Sequence, residues 1–334
     1  MHIRPAIAVL LLTLGCGGDA PPETVEETPP EPATTAATQG DEPGIPAGAE
    51  AISFLGDTLE RPDLPAEVEA TYRERYAQAE AALERTPENV DSLIWMGRRT
   101  AYLGRYREAI DIFTQALELH PDEPRLYRHR GHRYLTVRAP DQAVADFERA
   151  AELVEGSPDQ VEPDGLPNAA GTPVSTLHFN IFYHLGLAHY VAGRFEEAAE
   201  AYRACAAVSE NDDTRVATAY WRYMTLRRLG RDAEAAEVLD AIDTEMDPIE
   251  STAYLQLLLL FQGEGDAEAM VGGPGEEADL QSTTTAYGVG MWYLLEGDGE
   301  RAQEVFRRIV NARDQWPAFG YLAAEAELAE LGSR

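Results

Sequence analysis

The sequence predicts an all-α solenoid of antiparallel helix hairpins behind an unfolded N-terminal tether, and three observations predict it. Glycine, alanine and aromatic residues recur from Val90 onward with a period of about 34 residues. The stretches between them are amphipathic and about 14 residues long, the length of a hairpin helix. The first fifty residues lack that pattern and are instead rich in Pro, Thr, Ala, Gly and acid.

Residues 1–16, MHIRPAIAVLLLTLGC, read as a lipoprotein signal peptide. Arg4 supplies the positive start and Ala6 to Leu14 an apolar run too short to span a bilayer. Leu12 to Cys16 resembles a lipobox, with Thr13 where a leucine is usual, which makes Cys16 the expected lipidation site and the lipid bilayer an expected partner through the acyl anchor. A secretory signal carrying a chance cysteine is the alternative. Residues 17–50 hold eight carboxylates and no cation, so they cannot bury enough apolar surface to offset chain entropy and should form a disordered linker. As a flexible coil, its ends would lie roughly 35 Å apart.

The folded part is expected over 51–334. Ala66 to Arg85 is an amphipathic helix, half of an initial repeat. The first clear repeat, 90–123, supplies Gly97, Gly104, Tyr106, Ala109, Phe113, Ala116 and Pro121, which is the full tetratricopeptide (TPR) pattern. Small residues let the two helices of a hairpin approach, and the aromatics fill the space between hairpins. The repeat at 124–156 gives Gly131, Tyr134, Ala143, Phe147 and Ala150, with Arg138 where the turn glycine belongs. At 179–212 the set is Gly186, Gly193, Phe195, Ala198, Tyr202 and Cys205. Weaker copies follow at 216–246 and 283–316, separated by a degenerate helical stretch at 251–270. Residues 318–331 are expected to be the capping helix that a terminal repeat needs for solubility. One loop, about 156–172 with VEPDGLPN at 161–168, interrupts the first three repeats, and loops of that length are commonly functional.

Charge excludes several function classes. Asp and Glu number 59 against 27 cations, all of them arginine. A net charge of −32 repels nucleic acid. The absence of lysine removes Schiff-base and P-loop chemistry. No GxSxG elbow or other catalytic motif is present, so an enzyme is not expected and no cofactor is implied. Cys205 has no expected disulfide partner and reads as a small core residue.

Within this acidic chain, Trp95 to Arg138 holds nine arginines against five carboxylates. Carrying over the inward-facing positions of the first helix in each TPR hairpin gives a groove of Arg98, Tyr102, Arg125, Arg128, His132, Asn180, Tyr183, Tyr190, Tyr220, Arg227 and Arg228. Arginine forks match carboxylate or phosphate, so the expected partner is a protein or peptide offering an acidic or C-terminal segment. The bland alternative is that these arginines pair with the abundant Asp and Glu of neighbouring helices. A second reading builds a small-anion or enzymatic site from Arg98, Arg128, His129, His132, His178 and His184, covered by the 156–172 loop. In a third, purely structural reading the groove arginines are all internally paired, and in a fourth the acidic tether occupies the groove. The histidine spacing argues against a metal site, since His184 and His189 diverge on a helix and no HExxH accompanies them.

Five blocks go beyond what TPR spacing needs: WMGRRTAYLGRYREAI (95–110), YRHRGHRY (127–134), VEPDGLPN, STLHFNIFYHLGLAHY (175–190) and NDDTRVATAYWRYMTLRRLGR (211–231). They resemble a group of bacterial TPR proteins, which implies a ligand site shared by that group but no particular activity. The layout is similar to that of TPR lipoproteins acting as envelope adaptors. Gly17 after the cysteine lacks the Asp expected for inner-membrane retention, so the outer membrane, facing the periplasm, is the expected location.

Overall fold

The computed structural model of the protein describes residues 45–270 and 280–332. The signal peptide and the tether up to residue 44 lie outside the described residues. A hairpin of β1 (Ala49–Ile52) and β2 (Thr58–Glu60) precedes α1 (Ala66–Arg85). Helix pairs α2 (Val90–Tyr102) and α3 (Tyr106–Leu119), α4 (Pro124–Thr136) and α5 (Pro140–Val154), α6 (Leu177–Val191) and α7 (Phe195–Ala207) form three hairpins at the expected repeats. They are followed by α8 (Asp212–Arg228) with α9 (Asp232–Asp240), α10 (Thr252–Phe261) with the single turn α11 (Ala267–Met270), and α12 (Leu280–Leu295) with α13 (Gly299–Asn311). A 3-10 turn at Arg313–Gln315 leads into α14 (Phe319–Gly332). Among the described residues no helix is long and apolar enough to cross a membrane.

The helices start where side chains satisfy otherwise orphaned amides. Asn89 and Thr176 accept from Ser92 and Phe179 backbone N–H groups, Asn211 forms a capping box with Thr214, and Pro124 and Pro140 occupy first-turn positions that need no donor. The repeat pattern is a packing rule made visible. A Cβ added at Gly97, Gly131, Gly186 or Gly290 would come within 3.0 Å of the ring of Phe113, Phe147, Tyr202 or Phe306, each sixteen residues later on the facing helix. Cys205 lies fully buried in this core, and burial pushes its thiol up to about 12.

At the hairpin turns the chain needs a left-handed residue, and Gly104, Gly193 and Gly230 supply it with φ of +74°, +72° and +69°. Arg138 takes the same conformation at φ +64°, alone among the described non-glycine residues, at a cost of about 1 kcal/mol. Its side chain explains why it is tolerated. Nε and Nη2 each donate to the Glu325 carboxylate at 3.0 Å, Nη2 also to Trp316 O at 2.8 Å, and Nη1 to Thr136 O at 2.6 Å. The Arg138 and Glu325 side chains are 2% and 1% exposed.

That ion pair reveals the largest difference from the sequence expectation. Helix α14 lies one residue further along than the expected 318–331, and it does not simply cap the last repeat with a polar outer face. It folds back across the first helices of earlier hairpins: Phe319 packs on His132 and His184, and Glu327 accepts from Tyr190 and pairs with Arg228. Ala323, Ala324, Glu325 and Glu327 are all at most 3% exposed, so both faces of the helix are covered.

The N-terminal boundary also differs. The β-hairpin begins at Ala49, inside the stretch assigned to the linker, because Ala51 and Leu59 bury fully while the Glu50 carboxylate accepts from the Tyr106 and Arg107 amides at 2.9 and 3.0 Å. A carboxylate at the start of α3 satisfies two orphan donors and the helix dipole together. The hairpin reaches the C-terminal segment through Trp316 Nε1 to Glu60 O at 2.8 Å and Arg313 to Asp57 at 2.9 Å.

Glu325→Ala should strand the Arg138 guanidinium in the core and lower unfolding free energy by about 3–5 kcal/mol. The double variant Arg138→Gly/Glu325→Ala, which removes both charges and the backbone strain, should be more stable than that single variant in urea titrations; an unchanged midpoint for Glu325→Ala would show that the pair holds nothing together.

Candidate functional site

Four of the eleven expected groove residues, Arg98, Tyr102, Arg128 and His132, converge on one pocket. The others are engaged within the chain. Arg125 pairs with Glu123 and Asp91 at 2.8 and 2.7 Å. Arg227 meets Asp232 at 3.0 Å and donates to the Tyr223 hydroxyl at 2.7 Å, and Arg228 holds Glu327 and Glu330 of α14. Tyr183 accepts from Trp221 Nε1 at 2.8 Å and shares a hydrogen bond with Tyr254 at 3.1 Å. Tyr190 is bonded to Glu327 and Tyr287, and Tyr220 is buried, tilted over Tyr254. The groove of α6 and α8 is thus occupied by α14 and by its own hydrogen bonds.

The loop between repeats two and three covers the opposite end, around α2 and α4. Pro163 O accepts from Arg98 at 3.0 Å, and Gly165 O accepts from Arg99 at 2.8 Å and from Arg75 at 3.4 Å. Gly165 leaves space for Tyr102, since a Cβ there would overlap the Tyr102 hydroxyl and force that side chain or the loop to move. The same loop sends Glu162 inward, 7% exposed, where Arg128 Nε lies 3.0 Å away and Asn180 donates at 3.1 Å. Arg128 Nη1 donates to His129 Nδ1 at 3.0 Å, which places the His129 proton on Nε2, facing Glu162 at 3.7 Å. Asn180 therefore acts as a holder of the loop.

Beneath this loop lies an inner pocket of about 120 Å³ lined by Arg98, Ala101, Tyr102, Phe113, Arg128, His129, His132 and Arg133. No carboxylate is among its lining residues. It adjoins an outer cleft of about 800 Å³ through Ala101, Tyr102 and Arg133, which line both. The cleft runs between the segment from Pro62 to Pro65, Tyr72 of α1, Tyr106, and the segment from Ala312 to Ala318. Burial lowers the pKa of the Arg133 guanidinium to about 10, with Arg128 and Arg98 adding repulsion. Burial, with the neighbouring arginines, also holds His129, His132 and His184 well below the ordinary histidine value.

Sequence reasoning missed Arg133, Tyr106 and Tyr72. Arg133 sits next to His132 in the arginine-rich 95–138 stretch, and that local excess was its only signal. The alternative His/Arg constellation splits: Arg98, Arg128, His129 and His132 line the pocket, while His178 hydrogen-bonds Ser157 and His184 donates to Asn180 O. Arg130, placed where TPR units bury leucine, is held by Asp146 through a two-point fork at 2.7 and 2.8 Å.

Comparison with known proteins agrees with the geometry of the hairpins. Residues 95–159 and 177–214 match the tetratricopeptide repeat family. Among solved structures the chain is similar to a tetratricopeptide repeat protein from Parabacteroides merdae, at 16% identity over 76% of this chain and 93% of that one, TM-score 0.46. It is also similar to YrrB, described as a TPR protein with an unusual peptide-binding site, at 18% identity over 75% and 97%, TM-score 0.40. A putative kinesin light chain from Podospora anserina aligns at 14% identity over 69% and 96%, TM-score 0.40. The fold is a TPR-type α-solenoid.

Gly165→Ala should push the loop off Tyr102, raising proteolysis and amide exchange across residues 156–172 while the far-UV helix signal stays unchanged; an unaltered exchange pattern would mean the loop is held elsewhere. The buried histidines give an acid-sensitive stability. His129 and His184 have folded pKa values below the unfolded value of about 6.5, so below that pH the unfolded chain takes up protons that the folded chain refuses, and stability is lost as pH falls. Each contributes a slope of up to about 1.4 kcal/mol per pH unit. Glu327, raised by burial, pulls the other way from 4.5 upward. The urea midpoint should fall between about pH 7.5 and about pH 5.5, and less steeply in His184→Gln.

Proposed function

We propose that the protein is a non-catalytic adaptor of the cell envelope, anchored through an acylated Cys16 in the outer membrane. It holds an anionic or C-terminal peptide segment of a protein partner by a negative group at the floor of the cleft between the N-terminal segment, repeats one and two and the C-terminal segment. TPR solenoids are interaction scaffolds, and no catalytic family accompanies the repeat match. Where such scaffolds offer a long groove, this one carries α14, so the open surface is the cleft of about 800 Å³. That volume lies in the range of compact ligand sites, about 300–1,000 Å³, and suits the end of a chain or one extended stretch. The observation that carries the reading is the cationic floor: Arg98, Arg128 and Arg133 converge there in a chain of net charge −32. Tyr72, Tyr102 and Tyr106 add apolar area with polar tips, the composition of interface anchors. The inner pocket of about 120 Å³ favours, as a second reading, a free small anion in place of a partner segment.

The test is capture from envelope extract with the full chain in detergent. The wild-type chain should retain a partner that Tyr72→Glu, which places a negative charge on the cleft wall, loses, whereas Arg227→Ala, far from the cleft, keeps it. Equal capture by all three chains would remove the cleft from the reading. Cys16→Ser should shift the protein from the membrane to the soluble fraction, and continued sedimentation with membranes would remove the anchor.

A further inference from the structure

We propose that the inner pocket is an oxyanion site, built to take a single carboxylate or phosphate group in a two-point grip by Arg133, with Arg98 beside it. The proposal rests on the cleft reading above and names the chemistry at its floor.

Several buried or half-buried arginines of the solenoid have their counter-charge within the chain, and Arg75, Arg98 and Arg99 are held by backbone carbonyls of the 156–172 loop. Arg138 holds Glu325, Arg130 holds Asp146, Arg128 faces Glu162 and Arg228 holds Glu327. Arg133, on the pocket wall, has neither kind of partner. Among the described residues no carboxylate lies within ion-pair distance of it, and its one assigned side-chain contact is the Tyr106 ring, 5.6 Å from its guanidinium carbon. A cation–π contact offsets about 0.5–2 kcal/mol and does not replace a counter-charge. A planar fork of donors therefore lines a cavity that holds no carboxylate.

The surroundings fit an anion and little else. Arg98 gives one donor to Pro163 O and lies along the pocket wall, and no carboxylate lines the pocket to compete. Glu162 neutralises Arg128, so three guanidinium charges and one carboxylate leave the cluster cationic. The neighbouring histidines are neutral because burial and these same arginines disfavour their charged forms. At about 120 Å³ the pocket has room for a group the size of a carboxylate or phosphate. The remainder of any larger ligand must lie in the outer cleft, where Asp63 and Asp314 stand on the wall and repel a second negative charge. The site thus favours one anionic group at the end of a body that is neutral or cationic.

Inorganic phosphate and sodium acetate serve as probes, titrated into the full chain in detergent at constant ionic strength with chloride as the reference salt. A saturable rise in the urea midpoint with phosphate or with acetate, absent with chloride and absent in Arg133→Gln, is the expected result. Phosphate alone active would assign a phosphoryl ligand, and acetate alone a carboxylate. Arg133→Lys, which keeps the charge but not the fork, should bind at least tenfold more weakly than wild type, and Arg125→Gln should bind normally. If Arg133→Gln fails to fold, Arg98→Gln replaces it and should weaken binding several-fold. No midpoint rise beyond that with chloride, or an equal rise in Arg133→Gln, overturns the oxyanion site. Capture of a partner with no such rise leaves the adaptor standing and removes only this pocket chemistry, whereas an Arg133-dependent rise without any captured partner keeps the pocket and removes the adaptor.

Discussion

A single buried ion pair, Arg138 with Glu325, decides what kind of TPR solenoid this is. An arginine at a turn glycine position is disfavoured by its backbone conformation, and a buried carboxylate on a terminal helix is disfavoured by desolvation. Together each removes the other's penalty, because the left-handed turn aims the guanidinium at the carboxylate and at two main-chain carbonyls. Glu325 Oε2 also accepts from Phe54 N at 3.4 Å, so the same carboxylate ties the β-hairpin to α14 and to the turn after α4. A helix anchored at both Arg138 and Arg228 spans the inner face of several hairpins. Filling the groove from within converts an extended binding surface into core and leaves recognition to the margin where the two ends of the folded region meet.

Charge is distributed accordingly. The exposed pairs, such as Arg149 with Asp122 or Arg194 with Asp141, contribute little to stability because solvent screens them. The buried pairs set geometry instead, since a guanidinium removed from water must have its acceptors in fixed places. In a chain with more than two carboxylates per arginine, leaving a part-buried arginine without one requires that the local fold keep acids beyond ion-pair distance of it, as Asp63 and Asp314 are kept on the cleft wall. Around Arg133 the positions are filled by Tyr102, Tyr106, Phe113 and two histidines that stay neutral. An acidic residue at any of them would have quenched the pocket.

The repeats were legible because their spacing reports a local packing rule: Gly97 must meet Phe113 and Gly186 must meet Tyr202 whatever else the chain does. Hairpin bounds and the interrupting loop follow from the same periodicity, together with Pro and Gly. The course of α14 was not legible in this way. Periodicity tells which face of a helix is apolar, and AAEAELAE is small and mildly amphipathic on every side, as compatible with an outer cap as with a buried strut. Its partners lie about 100 to 190 residues earlier, beyond the reach of any local pattern. The substitution of Arg138 for glycine was the one trace of the long-range contact. The β-hairpin escaped notice for a different reason, since its strands have four and three residues and alternate only Ala49, Ala51 and Leu59 inward, in a tract whose composition otherwise matches a tether. Of the groove, the carried-over register could not say what covers each face: four of its residues line the pocket and the rest are engaged within the chain.

The 156–172 loop brings the two ends of this arrangement under one electrostatic constraint. Its backbone carbonyls bind Arg75, Arg98 and Arg99, and its one buried carboxylate reaches Arg128. Four arginines on α1, α2 and α4 repel one another, and the loop supplies the partial and full negative charges that let them stand together. Glu162 is held in turn by Asn180 of α6, so the loop spans from the third repeat back to the first and fixes the spacing of α2, α4 and α6 around the pocket. It does not reach Arg133, which lines both the inner pocket and the outer cleft. The loop therefore does for three repeats what α14 does for the groove: it meets the chain's own charges with groups of the same chain.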